Sequence, residues 1–304
     1  MSSPFTVPDF IIYCISIILI AILLMEVLDW SCIQIGFACP SISPPQAFLY
    51  GVSNGPSYWR CAYPEARSLS QSPINIVGKS AIALVPSKPL CWRSYDDEPY
   101  SVQLSNDGNT VVLLGHWNHV SRPKLQGGPL QSVYDFHSAV FRWGPANDEG
   151  SEHTLDYVGY SMELQAMHLK RGIETPRDAA ACKVKDGLAI VSYFFQITEA
   201  DNPYLDHVVT NLWRVINPGS CTLLPAFPLE WLMPSFESKY YAYCGSLTHP
   251  PCSEIVTWII QPRSIAISAS QMAWFRKVCS TEGPITSNCR PVQNLNDRDV
   301  FYYC

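Results

Sequence analysis

The sequence predicts a mainly β domain with a few peripheral helices. Its 304 residues include 25 Pro, 16 Tyr, 12 Phe and 9 Trp, a composition typical of loop-rich, strand-rich proteins. From about residue 50 onward, short runs of Val, Ile, Phe, Tyr and Trp alternate with Gly, Pro, Asn and Asp, which indicates strands separated by turns. A chain of this length can bury the core of one large domain or of two small ones.

The first element along the chain is an apolar segment that we predict to span residues 10–28. It follows a tail (1–9) without Lys or Arg, so the basic region that usually opens a signal peptide is missing. We expect an uncleaved signal-anchor that is just long enough to cross a bilayer; a cleaved signal peptide and a buried helix stay open. The sequence therefore predicts a single-pass membrane protein with its large domain extracellular or lumenal, or alternatively a secreted one.

A linker rich in Pro, Ser and Gly (29–49) separates this segment from the predicted domain (50–304). Five runs in the domain are strand candidates: TVVLLG, SVYDFHSAVFRWG, HTLDYVGYSMELQAMHL, GLAIVSYFFQI and EIVTWIIQ. Apolar residues at helical spacing predict a helix over 202–216, and SASQMAWFRKV predicts another after a Ser cap.

Charge and cysteine content narrow the function classes. The net charge of −6, with Lys and Arg scattered along the chain, argues against nucleic acid as a partner. Twelve cysteines are consistent with an oxidising compartment, and the lack of a C-x-x-C pair excludes a thioredoxin-like site.

Four segments occur in an order that resembles the α-carbonic anhydrase family. They are YGVSNGPSYW with QSPINI, then FRWGPANDEGSEHTLD, then YYAYCGSLTHPPCSEIVTWII, and near the end NCRPVQNLNDR. Together they cover the chain from Tyr50 to its end. The resemblance implies a single α-carbonic anhydrase domain, with a large, twisted, mostly antiparallel sheet and a conical pocket.

That family hydrates CO2 with a hydroxide held on zinc by three histidines, written F-H-F-H-W-G and E-L-H-x-x-H. In this chain AVFRWG and ELQAMH place Val140, Arg142 and Gln165 at the three ligand positions. Val has no donor atom, and Arg is cationic without a free lone pair. A unit charge about 4 Å from Zn²⁺ would cost about 8 kcal/mol at an effective dielectric near 20. We therefore expect a degenerate zinc site and no cofactor.

Other positions keep residues that the resemblance assigns to the family pocket. Thr248 and Glu152 align with the pair that orients the zinc-bound hydroxide, and Asn109 aligns with the proton-shuttle histidine, although Asn cannot relay protons near neutral pH. Five apolar residues align with the CO2 side of the pocket: Leu247, Val256, Trp258, Met167 and Ile190.

A buried Arg142 needs a partner, since an unpaired guanidinium is very costly in a protein interior. The resemblance makes Glu163 and Glu152 its neighbours, and we predict a network between Arg142 and a carboxylate. His137 lies an odd number of residues before Val140 and Arg142, and His168 an odd number after Gln165, so both are predicted on the opposite faces of their strands. A relocated metal site that uses His249 with a pocket carboxylate stays open.

Membrane-anchored relatives often carry a disulfide that ends at the Cys of T-x-P-P-C. Cys252 matches that position, but the other position aligns with Ala66, and the nearest cysteine is Cys61. A bridge between Cys61 and Cys252 would therefore need a shifted register.

Because the zinc ligands and the proton shuttle are absent, these observations predict a catalytically inactive carbonic-anhydrase-related protein that acts as a membrane-tethered binding module for an unknown protein partner. Two alternatives stay open: a carbonate dehydratase or other lyase with a rewired zinc site, and a structural subunit of a larger assembly.

Overall fold

A computed structural model describes residues 48–51, 54–118 and 121–304. The predicted tail, apolar segment and nearly all of the linker lie outside these residues. Within the described ranges, no helix is both long and apolar enough to cross a membrane.

Strands dominate the described chain. They are β1 (Asn75–Ile76), β2 (Ile82–Leu84), β3 (Cys91–Arg93), β4 (Ser101–Asn106), β5 (Val111–His116), β6 (Lys124–Gly127), β7 (Leu130–Trp143), β8 (Thr154–Leu155), β9 (Met162–Lys170), β10 (Leu188–Thr198), β11 (Cys221–Leu224), β12 (Tyr240–Gly245), β13 (Val256–Ser268), β14 (Cys279–Ser280), β15 (Gly283–Pro284) and β16 (Phe301–Tyr303).

Helices are few and short. The α-helices are α1 (Pro56–Ala62), α2 (Pro176–Cys182), α3 (Asp206–Val209) and α4 (Ala269–Phe275). Single turns of 3₁₀-helix occupy Pro64–Arg67, Gly78–Ser80, Pro203–Leu205, Leu212–Val215 and Leu229–Trp231. The prediction of a mainly β domain with peripheral helices is confirmed.

Twelve of the described strands form one mixed sheet, in which β11, β4, β5, β7, β9, β10, β13, β12, β16 and β2 are neighbours in that order. Strand β6 pairs with β7, and β3 pairs with β6. Neighbours run antiparallel except for β10 with β13 and β16 with β2, which are parallel. The predicted mostly antiparallel sheet is thus confirmed.

The two faces of this sheet bury different side chains because residues alternate between faces along each strand. One face carries the larger hydrophobic core, to which Phe141 and Trp143 of β7 and Leu164 of β9 contribute. The other face carries a second cluster that includes Met167 of β9 and Trp258 of β13. The candidate site lies on this second face.

A bulge in β7 interrupts the alternation on which the prediction for His137 rests. The pairing with β9 shifts between Phe136 and Ser138, so His137 is an extra residue without a partner in the β9 register. The alternation of faces is interrupted there, and the odd spacing to Val140 does not set the direction of the His137 side chain. His168 pairs with Phe136, and its ring lies edge-on to the Phe136 ring and tilted against the Tyr95 ring, away from Gln165 as predicted.

The predicted helix over 202–216 is broken into three pieces. It consists of a 3₁₀ turn, the four residues of α3 and a second 3₁₀ turn. The hydroxyl of Thr210 donates to the Asp206 carbonyl, and the amide of Asn211 donates 3.0 Å to the His207 carbonyl. The Asn211 side chain takes the His207 carbonyl, and the Asn211 backbone N–H bonds to the Val208 carbonyl instead, which accounts for the end of α3.

Candidate functional site

The three positions singled out in the sequence lie together on adjacent strands. Val140 of β7 pairs directly with Gln165 of β9, and Arg142, two residues further along β7, pairs with Glu163. The side chains of Arg142 and Gln165 are 2–3 % exposed, whereas Val140 is only half-buried. The sheet therefore brings the three positions to one place on its second face.

Arg142 is held by an acidic partner, as the sequence predicted. Its Nε lies 3.4 Å from Oε2 of Glu152 and 3.4 Å from Oε1 of Gln165. Its NH1 group donates to the Tyr50 hydroxyl at 2.6 Å and, at 3.4 Å, to the Asn288 carbonyl. The guanidinium carbon also lies 5.7 Å from the centre of the Tyr50 ring. The charge is thus paired with a carboxylate and placed beside an aromatic ring.

Gln165 is itself held by hydrogen bonds to the carboxylates of Glu152 and Glu163. The amide nitrogen of Gln165 donates to Glu152 at 2.6 Å and to Glu163 at 3.0 Å. The remaining Glu152 oxygen accepts the backbone N–H of Arg290 at 2.9 Å. Glu163 therefore supports Arg142 only through Gln165, and Glu152 is the direct partner.

Glu163 has a second set of donors that the sequence did not reveal. Its oxygens accept the backbone N–H groups of Glu152 and His153, the His153 ring nitrogen at 2.9 Å and the Ser192 hydroxyl at 2.8 Å. The other ring nitrogen of His153 contacts the Tyr243 hydroxyl at 2.7 Å. A buried chain of hydrogen bonds thus continues from the site toward β12.

These contacts decide the charge states. Burial acts to lower the pKa of Arg142, but the negative charge of Glu152 outweighs it and the pKa is raised. For Glu163, burial acts to raise the pKa, but its contacts with His153 and Gln165 lower it to about 2. Arg142 is therefore cationic and Glu163 anionic at neutral pH.

Thr248 and Glu152 do not form the pair that the resemblance implies. Thr248 is buried, but no hydrogen bond joins it to Glu152 in the described structure. Both oxygens of Glu152 are occupied by Arg290, Gln165 and Arg142. The carboxylate that would orient a small ligand through Thr248 is thus engaged elsewhere.

Aromatic side chains cover the site from the N-terminal side. The Phe48 ring stacks on His249 with a centroid separation of 5.9 Å and also packs against Trp59 and Tyr50. Burial, followed by the nearby charge of Arg142, lowers the pKa of His249 to about 4. His249 is therefore neutral at pH 7, with its Nδ1 3.0 Å from the Pro250 carbonyl.

The five apolar positions lie together in the hydrophobic core. Each is at most 8 % exposed, and all belong to the second hydrophobic cluster: Leu247, Val256, Trp258, Met167 and Ile190. In the described structure these side chains pack in one buried cluster and expose little of their surface.

Asn109 lies beside a cavity of about 180 Å³ that Tyr50 also lines. Its backbone N–H donates to Asp107 at 2.8 Å, and its carbonyl accepts from Asn288 at 3.1 Å. Both polar atoms of its side chain are buried without a hydrogen-bond partner.

Metal-ligating residues are scattered. The described part of the chain holds no group of three or more His, Cys, Asp or Glu side chains placed to bind a metal ion. His249 belongs to no such group in the described residues.

Cys61 and Cys252 are both free thiols in the structure. Cys61 is exposed on α1, whereas Cys252 is fully buried in a small cluster with Ala66, Trp59 and Phe48. The bridge between Cys61 and Cys252 is therefore not formed. Ala66, not Cys61, lies in the same cluster as Cys252, which agrees with the unshifted register of the resemblance.

Sequence reasoning missed three partners of Arg142 and Glu152: Tyr50, Asn288 and Arg290. Each lies more than 90 residues from the residue that it contacts. Their one signal in the sequence is that they belong to the first and last of the four resembling segments.

Comparisons with known proteins agree with the four segments. A sequence model of eukaryotic-type carbonic anhydrase matches residues 54–304. Carbonic anhydrase 1 of Mus musculus is 37% identical over 262 residues, which cover 83% of this chain and 96% of that protein. Carbonic anhydrase 7 of Homo sapiens is 35% identical over 257 residues, which cover 83% of this chain and 95% of that protein.

Proposed function

Because this chain belongs to the eukaryotic-type carbonic anhydrase family, we propose that it is a catalytically inactive member that serves as a binding module. One observation carries the proposal. The buried guanidinium of Arg142, paired with Glu152 at 3.4 Å, stands where the family resemblance places a zinc ligand.

The residues at the three ligand positions do not fit a zinc ion. Val140 offers no donor atom, and the guanidinium of Arg142 has no lone pair to give. The amide oxygen of Gln165 accepts from Arg142, and its nitrogen donates to two carboxylates. A divalent cation here would face a fixed positive charge, so we derive no reaction step through a metal.

Zinc content of the purified full chain is the direct test. We expect less than about 0.1 zinc per chain by elemental analysis and no CO2 hydration above the buffer rate in stopped flow. Stoichiometric zinc together with hydration activity would overturn the proposal and favour the second candidate, a carbonate dehydratase with a rewired site.

A series of variants separates the effect of Arg142 on zinc binding from the effect of the missing histidines. Val140→His, Arg142→His and Gln165→His together supply three neutral imidazoles, the ligand set of catalytic zinc sites. We expect this triple variant to bind one zinc per chain. The double variant Val140→His with Gln165→His keeps Arg142 and should bind zinc at least about a hundredfold more weakly, because it has only two imidazoles and a charge that repels the ion. The matched control for the charge, the same double variant with Arg142→Gln, has two imidazoles without the charge and should bind zinc more tightly than the double variant.

Failure of the folded triple variant to bind zinc would contradict the view that the family pocket is retained. Equal zinc binding by the double and triple variants would show that Arg142 does not exclude the metal. Both outcomes are read on metal content and need no enzymatic activity.

We further propose that residues 10–28 anchor the domain to a membrane, with the domain outside the cytosol. The support is the apolar composition of this segment, which is long enough to cross a bilayer nearly perpendicularly. Alkaline carbonate extraction should leave the full chain in the membrane pellet and release a chain that begins at residue 48. Release of both would contradict anchoring and favour secretion.

The proposed partner is a protein that binds the outer surface of the domain, since the apolar residues at the family's pocket positions are almost fully buried. Affinity capture with the full chain and mass spectrometry would test this. Retention of the same partner by the Arg142→His triple variant is expected if the outer surface is what binds.

A further inference from the structure

A cavity of about 250 Å³ lies at the end of β5, next to the bulge in β7. It is lined by residues 114–118 together with Arg122 and His137. These residues are distinct from those that hold Arg142, and no feature of the family resemblance assigns them a role.

The wall of this cavity depends on Gly115. A Cβ atom at this position would lie 2.0 Å from the Trp117 ring, well inside contact distance. Glycine therefore allows the indole to lie flat against β5, where it also packs edge-on against Phe136 with ring centres 5.8 Å apart. The cavity is thus bounded by a rigid strand end and an aromatic ring.

Arg122 offers unused donors in this cavity. Its Nε donates 2.7 Å to the Phe136 carbonyl, which fixes the plane of the guanidinium. Its two terminal nitrogens form no hydrogen bond or ion pair with described residues. A guanidinium held in this way presents a planar pair of N–H groups, the arrangement that suits a carboxylate or a phosphate.

His137, on β7, adds a second donor. Its Nδ1 contacts the Ser138 hydroxyl at 2.8 Å, and no hydrogen bond involves its Nε2 in the described structure. Burial, followed by the charge of Arg122, lowers the pKa of His137 to about 4. In the neutral ring that accepts the Ser138 hydroxyl, the N–H is on Nε2 and is free to bind a ligand.

The charge of the cavity has one sign. Its described lining holds one fixed positive charge, that of Arg122, and no Asp or Glu. The nearby carboxylate of Asp135 is 3.5 Å from Arg171, with which it forms an ion pair. A local positive site on a chain of net charge −6 favours an anionic ligand.

We propose that this cavity binds a small oxyanion of the phosphate or sulfate class, either free or as the ester group of a larger molecule. Arg122 contributes a planar pair of donors, His137 a single one, and His116 lies at the exposed edge. Charge-assisted hydrogen bonds from separate segments match the several equivalent oxygens of a tetrahedral anion.

Titration calorimetry of the full chain with inorganic phosphate, sodium sulfate and sodium acetate tests the site. We expect phosphate and sulfate to bind, and Arg122→Gln to weaken both at least about tenfold, the loss of one charge-assisted hydrogen-bonded pair. His137→Asn should weaken both by a smaller factor, about threefold or more. Arg263→Gln, which removes an exposed arginine on β13, should leave binding unchanged.

Nuclear magnetic resonance provides a readout that does not depend on the variants. Phosphate should shift the imidazole signals of His116 and His137 in the wild-type chain and leave those of buried His168 unmoved. A sulfated disaccharide that binds more tightly than free sulfate would identify the ester form, and equal affinity the free ion.

Three outcomes would overturn the proposal. The first is the absence of phosphate and sulfate binding to the wild-type chain, with no shift of the His116 and His137 signals. The second is binding that Arg122→Gln and His137→Asn leave unchanged in folded protein. Acetate that binds as tightly as sulfate would refute the tetrahedral class.

Discussion

Burial of Arg142 makes the stability of the domain depend on Glu152. The guanidinium and the carboxylate are 3 % and 0 % exposed, so neither is screened by water. The desolvation cost of such a pair is large, and removal of one partner leaves the other charge uncompensated. The intact pair therefore adds little to the free energy of unfolding, whereas the loss of either partner would lower it strongly.

Glu152→Gln tests this dependence. We expect a loss of about 3–5 kcal/mol in the free energy of unfolding, measured with urea at pH 7, because Arg142 stays charged and buried. Arg171→Gln, which removes an exposed ion pair with Asp135, should cost at most about 1 kcal/mol. A Glu152→Gln variant as stable as the wild type would show that Arg142 has no need of the carboxylate.

His168 makes a second residue-level prediction, on pH. Burial lowers its pKa from 6.5 to about 4, while its ring contacts the Tyr95 hydroxyl and the Ala189 carbonyl. Since folding favours the neutral ring, stability is complete above pH 6.5 and falls as the pH is lowered to about 4. One such group accounts for about 3 kcal/mol over that window.

Urea unfolding at pH 7.0, 5.5 and 4.5 measures this loss. His168→Gln should be less stable at pH 7 but should lose less stability on acidification than the wild type. Equal slopes for the two proteins would exclude His168 as a source of the acid sensitivity. Below about pH 4.5 Glu163, whose pKa is lowered to about 2, adds a further loss as it is protonated.

Residues near one another in sequence were predictable, and distant ones were not. The acidic partner of Arg142 followed from the cost of burying a charge together with the family resemblance. Tyr50, 92 residues away, provides a hydrogen bond that no local pattern indicates. The bulge at His137 likewise depends on the register of two paired strands, which alternation within one strand cannot show.

At the scale of elements, strands were predicted better than helices because their side chains alternate between two buried faces. The segment 202–216 has helical spacing, yet its Thr and Asn side chains compete for the backbone and divide it. Helix α4 formed as predicted because its start is capped. Ser268 accepts the Gln271 N–H at 3.1 Å, and Gln271 accepts the Ser268 N–H at 3.2 Å.

Ser268→Ala removes one half of this capping box. We expect a loss of about 1 kcal/mol in the free energy of unfolding, the usual cost of an N-cap hydroxyl. Gln271→Ala should cost more, because the Gln271 side chain also forms two hydrogen bonds with the backbone of Asn202. Thermal unfolding of both variants measures the difference, and the reverse order would contradict the assigned roles.

At the scale of the whole molecule, the sequence predicts the sheet well. It predicts poorly how side chains are arranged in the pocket on the second face of the sheet. The family segments indicate the fold over residues 50–304 because they supply the core and the turns of that sheet. Whether the pocket on it is open or filled depends on a few side chains, among them Phe48, Tyr50 and His249, that come from separate segments.

The cluster of Ala66 and Cys252 ties the segment before β1 to the loop that follows β12, and it provides a prediction for the molecule as a whole. Both residues are at most 2 % exposed and belong to one small cluster, at the positions where the resemblance places a disulfide. We expect Ala66→Cys to form a bridge with Cys252 in oxidising buffer and to raise the free energy of unfolding by about 2–4 kcal/mol, because the closed loop is long. Mass spectrometry after alkylation without reductant would detect the bridge, and Ala66→Ser provides the control of similar size.

In the wild type, exposed Cys61 should be alkylated rapidly and buried Cys252 only on unfolding. Protection of both thiols even in the unfolded wild type would instead support the Cys61–Cys252 bridge.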